Sequence, residues 1–222
     1  ATGALRRMQQ PEPDRPHNRF NDGKCDADGR FWAGTMDFDA TAPTGALYRY
    51  TATAETGSAD AGVGICERAF DAGFAVTNGP AWSKDGATMY FTDTVRREIT
   101  AFDFDHVGGA LSNRRTWLRL AGGDGNPDGM TTDAAGRIWI AHWGGACVSC
   151  HEPERGAELM RVALPTAHIT NVAFGGRGLD TLYITSARSK LSADQLRDQP
   201  SAGGLFAVRT DAVGCAANLF AG

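Results

Sequence analysis

Apolar residues along this chain fall in short runs interrupted by glycine-containing turns, and four segments repeat one order of residue types. They are "NDGKCDADGRFWAG" from Asn21, "NGPAWSKDGATMYFTD" from Asn78, "DGMTTDAAGRIWIAH" from Asp128 and "NVAFGGRGLDTLYIT" from Asn171. Each opens on a polar residue, passes through a short apolar stretch and a turn, and reaches an aromatic inside a β-rich run. The offset is 11 from Asn21 to Trp32, 12 from Asn78 to Tyr90, 11 from Asp128 to Trp139 and 12 from Asn171 to Tyr183. The turns "DADG", "KDG", "DAAG" and "GRG" supply residues that tolerate positive φ, so each unit is predicted to be a hairpin.

Successive aromatics lie 58, 49 and 44 residues apart, which leaves room for two more strands per unit. "GALYRYT" at 45–51, "EITAFDFD" at 98–105, "ELMRVALP" at 158–165 and "GGLFAVRTD" at 203–211 are the candidates. Four strands in a unit of about 45 residues is the period of a β-propeller blade. The expected fold is therefore an all-β propeller, with 1–222 as one domain and Trp32, Tyr90, Trp139 and Tyr183 in the blade cores. One short helix is predicted in "LSADQLRDQP", where Ser192 and Gln195 form a capping box and Pro200 stops the run.

In a propeller the first strand of every blade lines the central channel. Equivalent positions on successive blades then form a ring, so Asn21, Asn78, Asp128 and Asn171 are expected to point at one small volume near one mouth. The plainer reading is that Asn and Asp merely turn the backbone into a strand. Their neighbours, Asn21-Asp22-Gly23, Asn78-Gly79-Pro80 and Pro127-Asp128-Gly129, differ too much for a single turn type. Converging carboxamide and carboxylate oxygens without Cys or His are a hard-ligand set, suited to calcium, magnesium or manganese and, less exclusively, zinc.

Composition narrows the partners. A net charge of -4 with scattered cations, among them the pair Arg6-Arg7, leaves no basic footprint for nucleic acid. No apolar run approaches the roughly 18 residues that cross a bilayer, and the opening "ATGALRRMQQ" lacks a signal peptide's apolar middle. Five cysteines with no disulfide framework favour a reducing, cytoplasmic setting. Cys147, Cys150 and His151 spell C-x-x-C-H, the haem-attachment pattern. They fall on a predicted strand, where side chains three apart face opposite sides, so no haem is expected. His142 follows Trp139 by three positions and is placed near the channel mouth as a possible supporting residue. His17, His106, His151 and His168 read as loop residues.

The segments "RFNDGKCDADGRFWAGTM", "TNGPAWSKDGATMYFTDT", "NPDGMTTDAAGRIWIA", "TNVAFGG" and "QPSAGGLFAV" resemble the regucalcin (senescence marker protein) and gluconolactonase family, in the family's order from about residue 13 to 209. The resemblance implies a six-bladed propeller with one divalent metal in the channel and hydrolysis of sugar lactones. It assigns Asn78 and Asp128 as metal ligands, Asp128 also as the catalytic base, and Arg19 and Asn21 as substrate contacts. Asp22 joins these contacts, and Asp39 in "GTMDFD" matches an acidic sugar-binding position loosely. Asn171 and His142 are left as supporting residues. The family's remaining ligand, a Glu in a motif like E-G-P-x-W, has no counterpart here. At the family's blade length six blades need roughly 270 to 300 residues, so this chain is expected to hold four to five.

Three functions compete. The first is metal-dependent hydrolysis of a sugar lactone to the aldonic acid. The second is a protein that holds calcium or a sugar acid without turnover. The third is an esterase of aryl or phosphorus esters, which the Arg19 and Asn21 pair disfavours because such substrates want an apolar pocket.

Overall fold

The computed structural model describes residues 9–52 and 64–221; the chain start with Arg6-Arg7 lies outside them. Four antiparallel sheets follow one another along the chain. The first is β1 (Asn18–Cys25), β2 (Phe31–Asp37), β3 (Gly45–Thr51) and β4 (Ile65–Phe74). The second is β5 (Thr77–Trp82), β6 (Thr88–Asp93), β7 (Glu98–Asp105) and β8 (Ala110–Arg119). The third is β9 (Asn126–Thr132), β10 (Ile138–Trp143), β11 (Cys147–His151) and β12 (Glu158–Ala163). The fourth has three strands, β13 (Ile169–Gly175), β14 (Thr181–Ser186) and β15 (Leu205–Arg209), with helix α1 (Ala193–Asp198) inserted before the last. Strand order is sequential in every sheet, and β1, β5, β9 and β13 pack against one another in turn. These are four blades of a propeller, with the first strands innermost.

The strands form where the alternation puts them, and they bury their apolar faces between blades. Trp32, Leu47, Phe74, Met89, Phe91 and Phe102 fill the space between blades one and two. Tyr90, Ile99, Met130, Ile138 and Ile140 fill the next. Trp139, Val148, Cys150, Ile169, Leu182 and Ile184 fill the third. Three of the four repeat aromatics are core as expected. Tyr183 is not: it is 38% exposed, because it lies on the outer face of the last blade beside Leu205, 67% exposed, while Leu182 and Ile184 face inward. The capping box at Ser192 and Gln195 is present, and no helix among the described residues is long and apolar enough to cross a membrane.

One device recurs in blades one and three. Asp26 accepts hydrogen bonds from the backbone N–H of Asp28 and Arg30, from Arg30 Nε at 2.6 Å and from Trp32 Nε1 at 2.8 Å. Asp133 does the same with Ala135, Arg137 and Trp139. The "DADGRFW" and "DAAGRIW" turns thus hold the hairpin through one buried carboxylate that also fixes the core tryptophan.

Candidate functional site

The inner strands break register where the ring residues sit. Pairing of β1 with β2 slips between Phe20 and Gly23, that of β5 with β6 between Asn78 and Ala81, that of β13 with β14 between Ile169 and Asn171. On β9 the slip spans Asp128 and Gly129, between the pairs Ile140–Met130 and His142–Pro127. A bulge leaves residues out of the ladder and re-aims their side chains. Two glycines make this possible at close quarters. Gly79 adopts φ +73° beside Met130, and a Cβ on Gly129 would meet Asn171 at 2.2 Å.

Side-chain bonds join Asn21 to Asn78 and Asp22 to Asn171, and reach Asp128 only at the peptide before it. Asn21 Nδ2 donates to Asn78 Oδ1 at 2.9 Å and to the Thr77 carbonyl at 2.7 Å, linking blades one and two. Asn78 Nδ2 donates to Thr94 Oγ1 at 2.8 Å, and that hydroxyl donates to the carbonyl of Pro127, the peptide that precedes Asp128, at 2.8 Å. Asp22 is the hub: its Oδ2 accepts from the Gly79 N–H at 3.1 Å and from Asn171 Nδ2 at 3.3 Å, so blades one, two and four meet on one carboxylate. Arg19 Nη1 donates to Asn21 Oδ1 at 2.8 Å on the exposed rim, with its guanidinium 5.8 Å from the centre of the Phe38 ring. Asp39 follows Phe38 in the exposed turn at 38–40 on that side.

The electrostatics are those of a desolvated carboxylate pair. Burial, reinforced by the charge of Asp22, pushes the Asp128 carboxyl up to about 8, against one stabilising N–H from Gly129. Burial also raises Asp22, opposed by Lys24 and by the N–H groups of Gly23 and Gly79. Lys24 is pulled down by burial and held up by Asp22, and its Nζ donates to the Met130 carbonyl on β9 at 2.7 Å. Lys24 offsets the charge of Asp22 while Asp128 has no such partner, so a further cation would be stabilised there. Among the described residues no three or more His, Cys, Asp or Glu side chains are grouped to hold a metal. The donors that fit a hard divalent ion are instead mixed: Asn78 Oδ1 and the carboxylate of Asp128.

His142 is not brought to the ring. It is buried inside blade three, with Nδ1 2.8 Å from the Asp124 carbonyl and Nε2 2.6 Å from Ser149 Oγ. Ser149 continues to His151 Nε2 at 2.8 Å, whose Nδ1 lies 2.8 Å from the Gly156 carbonyl. His151 is thus a buried strand residue rather than a loop one, and so is His168 buried, stacked 4.1 Å from Trp143. Position three on from an aromatic does not reach the channel because β10 is the second strand of its blade. Cys147 and Cys150 lie on β11, both buried and both free, with Cys150 packed in the core and Cys147 3.6 Å from Arg161 Nη1. Burial pushes the Cys150 thiol up to about 12. Sequence reasoning missed Lys24, although residues two apart on a strand commonly share a face and Asp22 was already named among the substrate contacts.

With this geometry in place, likeness to known proteins adds the chemistry of relatives. Residues 1–188 match the family described as the SMP-30/gluconolactonase/LRE-like region. The L-arabinolactonase of Azospirillum brasilense is 40% identical over 223 residues, covering 100% of this chain and 69% of that protein. Regucalcin of Sus scrofa is 38% identical over 197 residues, covering 89% of this chain and 64% of its own length. The crystal structure of a calcium-binding regucalcin from Agrobacterium tumefaciens superposes with a TM-score of 0.87 at 29% identity, over 99% of this chain and 70% of that one.

Proposed function

Because the chain belongs to the SMP-30/gluconolactonase/LRE-like family, we propose that it hydrolyses a sugar lactone to the aldonic acid at the channel mouth where Asp22, Asn78 and Asp128 converge. The observation that carries this reading is the desolvated carboxyl of Asp128 beside Asp22, on the strand whose Pro127 carbonyl is tied through the Thr94 hydroxyl to the Asn78 carboxamide. Asn78 and Asp128 would hold a divalent cation, calcium, zinc, manganese or magnesium, which when bound would supply a positive centre that polarises a carbonyl. The chain as a whole is taken as one propeller domain.

The remaining work falls to the side chains. Asp128, once ionised, accepts the proton of the attacking water as general base. Thr94 and Asn21 bond the two ends of the Asn78 carboxamide and fix its rotamer, so its oxygen keeps one direction. Asp22 holds the Gly79 and Asn171 sides of the ring together and presents its free lone pairs to a sugar hydroxyl. Arg19 and Asn21 on the rim, with Asp39 beyond them, bind further hydroxyls and orient the ring so that attack is nearly intramolecular. Asn171 supports Asp22, and its own Oδ1 is taken by the Val172 N–H.

A pH-stat assay with gluconolactone, xylonolactone and phenyl acetate, with and without EDTA, tests the reading. Lactone hydrolysis that EDTA abolishes, with phenyl acetate untouched, is the expected result. Chelator-insensitive hydrolysis, or none at all, sinks it. In the latter case calcium binding without turnover supports the second reading, a non-catalytic binding protein. Arg19→Ala is expected to raise KM for the lactone about tenfold with kcat little changed, since it removes one charged hydrogen-bond donor from an exposed rim. A fall in kcat at constant KM would place Arg19 at the reacting atoms instead.

A further inference from the structure

We infer that the ammonium of Lys24, paired with Asp22 and bonded to the strand that carries Asp128, is a built-in counter-cation, a positioning residue that limits how tightly a divalent cation is held in the channel. The inference rests on the reading above for what enters the channel. It stands on three observations. Lys24 belongs to the innermost strand of blade one, yet its Nζ donates to Met130 of blade three at 2.7 Å, crossing the channel past blade two. Met130 lies two residues beyond Asp128 on the strand that carries it, so the same bond that places the charge also pins that strand. Asp22 lies close enough to Lys24 to supply the opposite charge that steadies it.

The charge count gives this arrangement a consequence. With Asp128 ionised, the two carboxylates alone would make a doubly negative, poorly solvated pocket, and a divalent ion entering it would be bound tightly with its charge fully neutralised. Lys24 removes one unit of that negative charge before any ligand arrives. A cation held beside it stays electron-poor, and it is also repelled by a like charge that water screens weakly. The expected cost is weaker cation binding in exchange for a more polarising site.

A strut that only braces the fold predicts the opposite of a charge that opposes the ligand, and this separates the two. Calcium affinity is measured by titration calorimetry on the wild-type chain, Lys24→Gln and Lys24→Arg at low salt. Glutamine retains a side-chain N–H but carries no charge. Lys24→Gln is expected to bind calcium roughly tenfold or more tightly than wild type, and Lys24→Arg within about twofold of it. Equal or weaker binding by a folded Lys24→Gln overturns the inference alone. Absence of binding by all three proteins overturns it together with the reading it rests on. Should Lys24→Gln not fold, Lys24→Met, which keeps the length of the stem without the charge, is expected to bind calcium more tightly than wild type to a similar extent, and equal or weaker binding there overturns the inference.

Discussion

Asp128→Asn is expected to lower lactone turnover by about 10²- to 10⁴-fold, the usual worth of a positioned general base, while making the chelator-treated protein more stable at pH 8. The two effects share one cause. Burial and the neighbouring Asp22 hold the Asp128 carboxyl near 8, far above its ordinary value of 3.8. Between those two values the folded protein keeps a proton that the unfolded chain has released. Stability therefore falls as pH rises through that window and levels off above the folded value. The slope contributed by one such group is at most about 1.4 kcal/mol per pH unit. Asparagine cannot ionise, so its variant lacks this slope. Urea unfolding in EDTA at pH 5, 7 and 9 reads the difference: the gap between variant and wild type should open with rising pH. A constant gap would show that Asp128 titrates as an ordinary carboxylate. Retained lactone turnover by the variant would remove it from the chemistry.

Asp26→Ala is expected to destabilise the fold by about 3 to 5 kcal/mol, the range for stripping a buried ion pair of one partner. The carboxylate is fully buried and is bonded by two backbone N–H groups, by the Arg30 guanidinium and by the indole of Trp32. Its loss leaves Arg30 facing a void and unties the tryptophan around which blades one and two pack. Asp28→Ala is the control, because that carboxylate meets the same arginine at 2.9 Å from an exposed position and should cost under about 1 kcal/mol. Denaturant midpoints for both variants decide the matter; similar small losses would mean that the buried bonds contribute no more than the exposed one. The equivalent Asp133 in blade three offers an independent repeat of the experiment.

The regular recurrence of polar residue, turn and aromatic was enough to identify the blades from the chain alone. Strands β3 and β7 occupy the residues expected of them, as does the capped helix at Ser192, because alternation and turn chemistry are local properties that act over a few residues. The repeat also located Asn21, Asn78, Asp128 and Asn171 at equivalent points, since equivalence around an axis follows from a period. It did not reveal that Asp22, rather than the ring position itself, joins three blades. That depends on a bulge in each inner strand, and a bulge is a pairing event between strands rather than a pattern within one.

The departures have the same origin. Tyr183 has the sequence context of a core aromatic, but burial of a strand face requires a neighbouring sheet, and its face of the last blade has none among the described residues. His142 matched a distance along the chain, yet strand position within the blade turned it into the interior, where Asp124 and Ser149 take both its nitrogens. Lys24 was visible as a charge two residues from Asp22, but its reach to Met130 exists only once blade three has been brought across the channel. Local periodicity thus determined which residues form each strand and which way they alternate. The closing of the blades around an axis decided which oxygens and charges meet, because contacts between residues a hundred positions apart depend on where whole sheets pack.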